Sequence, residues 1–514
     1  MTTASHSRVE GRNLIGGRWI PLPGDAMTSR MPAAPARVVW SGTPASSHVD
    51  DAVAAARRAA PAWAVAGMQT RRRVLLAFKA LAESHVDALT ALIRDETGKP
   101  TWDARAEAQL IAAKVDVTLE EGPHAAMSRV TPFETPLTAT RTGRCWFRPH
   151  GVMAVVGPFN FPAHLPNGHI VPALAMGNTV VFKPSDKAPA CGQLLAELLQ
   201  RALESCDAPP GVMNLVHGGT EVASALVSHE GLDGVLFTGS WAVGRRIMLA
   251  NIDRPGRILA LEMGGNSPAA ILPDADLDQA VAECVRSAFV TAGQRCTCTR
   301  RLVVHRAVAD EVMARLDRAA AALVVGDPSS EPPVFMGPVI DEAARRSLLA
   351  THDALASASG STVVRAMRAL DLPGGGWYVS PGLMRVERFA RSEPGTAIRS
   401  GGDDVEVFGP LLRVAVCDTP EEMLEQCNAT AFGLAAAVFT KSEPWTRMFV
   451  DGLRAGCINV NTGTAGASSR LPFGGVGLSG NHRPAGAFSV DYCAHPVAGM
   501  FERGDAFQRC PGMG

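Results

Sequence analysis

GVMAVVGPFNFP, residues 151–162, sets the reading of the chain. Five apolar residues, Val152 to Val156, form a candidate buried strand, and Gly157-Pro158 ends it in a turn. Towards the C-terminus the pattern recurs. A strand is predicted over Asn178–Lys183 and a helix over Leu194–Glu204, with further apolar runs at Val212–Val216, Gly234–Phe237 and Ile258–Glu262. Near-continuous apolar strands alternating with helices predict an α/β fold with a largely parallel sheet covered on both faces. A second series starts near Ala269 with AAIL, takes in Leu302–Val304 and extends to about residue 440. Towards the N-terminus, residues from about 48 to 125 are rich in Ala, Leu, Arg and Glu, with helical spacing around Val74–Ile93. They predict two or three long helices. Residues 128–150, with Thr131, Thr135, Thr138, Thr140 and Thr142, predict an extended hairpin, and protruding strands of this kind often pair with another subunit.

The 514 residues exceed what one core ordinarily serves, so two or three domains are expected. Apolar residues make up 46% and charged residues 19%, a globular balance. The 49 basic and 50 acidic residues nearly cancel, which argues against a nucleic-acid binder. Residues 1–17, MTTASHSRVEGRNLIGG, lack the apolar core of a secretory signal. The longest apolar runs, such as Ile170–Phe182, are broken by Pro172, Gly177 and Asn178, so no membrane span is expected. Eleven cysteines without paired spacing fit reduced thiols in a cytoplasm. Cys296 and Cys298 are too close and too isolated for a four-ligand zinc site, and no metal is expected.

Six segments, in four groups, carry candidate chemistry. In GQRCTC (293–298), Cys296 follows Gly293-Gln294, with Arg295 and Arg300 near. A buried cysteine is ordinarily a small hydrophobe, but nearby positive charge favours the nucleophilic thiolate. In LEMGGNSP (261–268), Glu262 ends an apolar strand before two glycines; most such carboxylates are solvated, and a desolvated one becomes a general base. In GPFNFP (157–162), Asn160 either satisfies its own turn or donates its amide to an oxyanion. The fourth group suits a nucleotide. FTGSWAVGR (237–245) has two glycines flanking four residues after a strand, where backbone N–H groups at a helix start bind phosphate. It is neither a Walker loop nor the full dinucleotide fingerprint. VFKPSD (181–186) puts Lys183 at a strand end, where open parallel sheets bind ligands, and VEVFGPLL (405–412) adds Glu406 and Phe408.

Taken in this order, these motifs resemble the aldehyde dehydrogenase superfamily over essentially the whole chain, from Asn13-Leu14-Ile15-Gly16-Gly17 onward. The resemblance implies a Rossmann-type nucleotide-binding domain (1–127 and 151–264), an α/β catalytic domain (265–440) and small β oligomerisation strands (128–150 and 484–500). Residues 441–483 would return to the nucleotide-binding domain and form an active-site loop, leaving 501–514 as a tail. It also implies Cys296 as nucleophile, Glu262 as general base, and Asn160 with the backbone N–H of Cys296 as oxyanion hole. NAD would be held by Lys183 and Asp186 at the adenosine ribose, Gly239, Ser240 and Gly244 at the pyrophosphate, and Glu406 and Phe408 at the nicotinamide end. Asp186 stands where NAD-preferring relatives typically carry Glu.

HLPNGHIVPAL (164–174), FVTAGQRCTCTRRL (289–302), PFGGVGLSGNHRP (472–484) and DYCAHP (491–496) are similar to the N-succinylglutamate 5-semialdehyde dehydrogenases of arginine catabolism. A cytoplasmic homodimer or larger homo-oligomer is implied. Such a substrate carries two carboxylates, for which Arg470, His482, Arg483 and His164 are candidate partners. Alternatives are a dehydrogenase of another acidic semialdehyde and an inactive scaffold of the same fold. A cysteine–histidine hydrolase is the third, and no histidine motif supports it.

Overall fold

The computed structural model describes residues 8–393, 395–505 and 510–513. Parts of the expected first segment (1–7) and tail (506–509 and 514) lie outside them. Two seven-stranded sheets dominate. The first runs Ile258–Glu262, Gly234–Thr238, Val152–Val156, Thr179–Lys183, Met213–Leu215, Arg12–Ile15 and Arg18–Pro21, in that spatial order. Its first five strands are parallel; Arg12–Ile15 joins antiparallel and closes a hairpin with Arg18–Pro21. That hairpin was not read from the sequence, although Gly16 and Gly17 (φ +58° and +81°) meet the demand of a two-residue turn for positive φ. The central strands are buried at every position, as strands covered on both faces must be.

Four helices, rather than two or three, fill residues 48–119: His48–Val65, Gly67–Ser84, Val86–Thr97 and Thr101–Leu119. The breaks have local causes. Gly67 takes φ +79°, and Gly98 caps its helix at φ +75° two residues before Pro100. The last three of these helices pack with His164–Ala175 and Pro189–Glu204 on one face of the first sheet, around Phe78, Ile111 and Phe182, whereas Val49, Ala52, Val53, Ala55 and Ala56 of His48–Val65 lie in the core on its other face.

The second sheet runs Ser361–Arg365, Gly382–Val386, Leu411–Cys417, Thr299–His305, Ser267–Ile271, Ala435–Phe439 and Cys457–Val460, parallel except at Ser361–Arg365. It therefore reaches past residue 440. Cys457–Val460 pairs in parallel with Ala435–Phe439, and Phe449 and Leu453 lie in this sheet's core, so 441–460 does not return to the first sheet. The return comes later: Gly480 bridges to Glu262, and Asn481 brackets the first sheet's edge strand. Its amide donates to Leu259 O (2.9 Å) and its side-chain oxygen accepts from Leu261 N–H (2.8 Å).

A three-stranded antiparallel sheet stands apart. Arg141–Pro149 lies between Phe133–Pro136 and Ala494–Glu502. The last strand runs on to Glu502, beyond residue 500 where the tail was expected to begin, because Arg141–Thr142 offers two more ladder positions. Among the described residues no helix is long and apolar enough to cross a membrane.

Candidate active site

Neighbouring parallel strands deliver the site at their carboxyl ends. Glu262 faces Thr238 in register, Phe237 faces Val156, and Val156 faces Lys183. The turns leaving these strands carry Asn160, Asp186 and the Gly239-Ser240 helix start, so one sheet edge gathers four of the sequence motifs. Cys296 arrives from the other sheet, on the loop between Leu277–Phe289 and Thr299–His305. A cavity of about 800 Å³ is walled by Asn160, Lys183, Asp186, Gly239, Ser240, Glu262, Cys296, Glu406 and Phe408. Nine of the ten residues singled out from the sequence thus share one wall. Gly244 does not. A Cβ there would lie 2.2 Å from the Met263 sulfur, so this glycine serves close packing of helix Trp241–Ala250.

Glu262 is 1% exposed, and neither carboxylate oxygen has a hydrogen-bond partner. Burial pushes its pKa up to about 8; the Cys296 thiol draws it slightly down without closing a hydrogen bond, and Glu406 adds to the rise. Cys296 is half-buried, and burial raises its thiol pKa well above the ordinary value, with Glu262 and Glu406 adding to the effect. The resting sulfur is a thiol beside a base of raised pKa. The Asn160 amide donates one N–H to Gln294 O (3.0 Å), leaving the other free.

The loop that carries Cys296 is strained and clamped. Thr291, Ala292 and Gly293 take φ of +56°, +54° and +70°, three consecutive left-handed residues. Asp103 accepts from Thr291 Oγ1 (2.7 Å) and Arg295 Nη2 (2.7 Å), and Arg295 Nε donates to Thr291 Oγ1 (2.8 Å). Burial would raise the Asp103 carboxyl, but the charges of Arg295 and Lys99 outweigh it and hold it low. Arg300 is 1% exposed and donates to Gly265 O (3.2 Å), Gly293 O (3.2 Å), Arg295 O (2.8 Å) and Val407 O. Its guanidinium lies 5.2 Å from the Phe408 ring centroid. One cation therefore ties together the segments bearing Glu262, Cys296 and Glu406. Asp103 was not read as a site residue and Arg300 was read only as a charge near Cys296, since the side chains and carbonyls they gather come from distant segments that sequence motifs do not show.

The cavity suits a nicotinamide dinucleotide. Lys183 is 5% exposed, yet its ammonium makes a single hydrogen bond, to Pro184 O (2.8 Å), and burial lowers its pKa to about 8. Ser240 caps helix Trp241–Ala250, whose first-turn N–H groups point to the cavity end of the sheet. Glu406 accepts from Gly265 N–H (3.0 Å) and occupies a notch that a Cβ on Gly264 would fill. Of the carboxylate candidates, Arg470 lies at the surface, ion-paired with Glu120, and Arg483 donates to Gly475 O (2.8 Å). Neither these two, nor His482, nor His164 walls the cavity; His164 lies one turn beyond Asn160, which does.

The fold and this constellation define a class of enzyme, and comparison agrees: the model of the aldehyde dehydrogenase family matches residues 19–496, and the chain belongs to that family. It is an NAD(P)-dependent aldehyde dehydrogenase. N-succinylglutamate 5-semialdehyde dehydrogenase 1 of Caulobacter vibrioides is 44% identical over 88% of this chain and 91% of its own. The N-succinylglutamate 5-semialdehyde dehydrogenase of Novosphingobium aromaticivorans is 42% identical over 92% and 95%. Among solved structures, an aldehyde dehydrogenase of Brucella melitensis biovar abortus superposes with a TM-score of 0.87 at 29% identity, covering 98% of this chain and 100% of its own. An indole-3-acetaldehyde dehydrogenase complexed with NAD+ superposes with a TM-score of 0.87 at 27% identity, covering 97% and 98%.

Proposed function

We propose that this chain oxidises N-succinyl-L-glutamate 5-semialdehyde to N-succinyl-L-glutamate with NAD+ and water, in the cytoplasmic breakdown of arginine. The observation that carries the chemistry is the meeting of Cys296, Glu262 and Asn160 on one cavity wall. The substrate is supported by relatives 42–44% identical over most of the chain. The Cys296 thiol releases its proton to solvent water and its sulfur adds to the aldehyde carbon. The resulting oxyanion takes the free N–H of Asn160 and the backbone N–H of Cys296; losing one such donor typically costs about 2.7–4 kcal/mol of transition-state stabilisation. Glu406 and Phe408 would hold the nicotinamide, which when bound would supply the hydride acceptor. Glu262 then deprotonates water, which cleaves the thioester on Cys296, releases the acid and restores the thiol.

Lys183 and Asp186 would hold the adenosine ribose through its hydroxyls; a carboxylate in that wall repels a 2′-phosphate, which favours NAD over NADP. The three-stranded sheet, with Phe133, Leu137 and Met500 exposed, would pair copies of the chain into a dimer or larger assembly. The deciding assay follows NADH formation by absorbance with N-succinylglutamate semialdehyde and NAD, beside Cys296→Ala. Turnover abolished by the substitution supports nucleophile and substrate together; turnover on other aldehydes alone discards the substrate.

A further inference from the structure

Helix His164–Ala175 is buried along ten of its twelve positions, yet it leaves polar atoms unused. His164 Nδ1 and Asn167 Oδ1 are buried without hydrogen-bond partners. Buried polar atoms are nearly always paired, so two orphans three residues apart mark a place where something else supplies the partner. His164, Asn167 and Gly168 share one face of the helix, at spacings of three and four. Gly168 is buried, but a methyl group added to it would meet no atom within 4 Å. The orphaned atoms therefore lie along a face that has open space.

The neighbouring helix adds charge. Asn167 Nδ2 donates to Ile111 O (3.0 Å), and one turn further along stands Lys114, 3% exposed. Its ammonium donates to Gly486 O (2.8 Å) and Ser489 Oγ (2.7 Å); among the described residues no carboxylate lies within ion-pair distance of it. Lys99 and Arg295, by contrast, are neutralised by Glu107 and Asp103. This side of the site thus has one uncompensated cation. Burial and the charges of Lys114 and Lys99 lower the His164 pKa to about 4, so its ring is neutral at rest and offers an N–H without bringing a second charge. The active site is close by: Leu165, next to His164 in the helix, and Asn160, one turn before it, line the catalytic cavity, and the Phe161 and His164 rings are 6.3 Å apart.

From this arrangement we infer that His164, Asn167, Gly168 and Lys114 form a subsite for the anionic, amide-bearing tail of an N-acylated acidic aldehyde. His164 donates to a carboxylate, Lys114 supplies the balancing charge, and Asn167 Oδ1 accepts the amide N–H. The open space at Gly168 admits the acyl branch. The inference rests on the proposed substrate and goes further by naming the residues that read it.

The test uses the full-length enzyme with His164→Phe and Gly168→Val, each checked by thermal unfolding. For each, kcat/KM is measured with N-succinylglutamate semialdehyde and with propanal. Inhibition of propanal oxidation by N-succinyl-L-glutamate is measured in parallel. The expected result is a ratio of the two kcat/KM values, acidic over neutral, about tenfold or more below the parent's in both variants, with inhibition weakened in step. Ratios and inhibition equal to the parent's in both variants overturn the subsite. A parent that shows no preference for the succinylated aldehyde, yet loses inhibition by the dicarboxylate in both variants, keeps the subsite and overturns the substrate.

Discussion

Glu262 owes its chemistry to isolation. Two buried oxygens without partners raise its pKa from the usual 4.5 to about 8, within reach of the pH at which a base must work. Glu262→Gln is expected to give one stoichiometric burst of NADH followed by turnover about a hundredfold or more below the parent's, since addition and oxidation survive while thioester hydrolysis stalls. Rapid mixing separates the two phases. In the parent, the steady rate should climb with pH through an inflection near 8. Stability moves the other way. Between about 4.5 and 8 the native protein keeps a proton that the unfolded chain has released, so this contribution is complete below about 4.5 and lost as pH rises through about 8. Denaturant titrations should therefore find Glu262→Gln gaining on the parent across that window. The identities of Cys296, Glu262 and Asn160 were legible in the sequence because each stands in a short motif at a strand end or turn. Gly244 could not be sorted in the same way, because a glycine that permits close helix packing looks the same, in sequence, as one that approaches a phosphate.

Loops here depend on groups that never touch a reactant. Gly293 combines φ +70° with a position where a Cβ would lie 2.1 Å from Gly409 O, so both conformation and space forbid a side chain. Gly293→Ala is expected to cost about 3 kcal/mol or more, read by denaturant unfolding, and to lower activity by displacing the Cys296 loop. Arg300 is the complementary case. Replacing it with Met leaves carbonyls of Gly265, Gly293, Arg295 and Val407 without their donor. A loss of about 2–4 kcal/mol is expected, with kcat falling far more than KM changes. Arg300→Lys should not restore it, because a point donor cannot span four acceptors. Neither role could be read beforehand: the arginine stands in an ordinary CTCTRR run, and its partners are backbone atoms brought from residues 265 to 407 by the fold. Element types, by contrast, followed from periodicity. The five parallel strands of the first sheet were each located from apolar runs, while the Arg12–Pro21 hairpin was missed because Arg12, Asn13 and Arg18 leave its strands without such a run.

At the scale of the molecule, the catalytic centre lies where two sheets meet. The first brings Glu262, Asn160 and Lys183 and the second brings Cys296, with Asp103 and Arg295 locking one to the other. The three-stranded sheet extends from this body with Phe133 (60% exposed), Leu137 (49%) and Met500 (73%) on its surface. Paired with a second copy, these side chains leave water; Phe133→Glu with Met500→Glu should shift sedimentation towards the monomer. The order in which this architecture can be completed is also fixed. Ile258–Glu262 is an edge strand of the first sheet, and what covers it is Gly480 and Asn481. During synthesis the strand that bears the base is made well before Gly480 and Asn481, the residues that cover it. A nascent chain therefore carries an open sheet edge until Gly480 and Asn481 emerge, and it is exposed to misassembly on the ribosome throughout that interval.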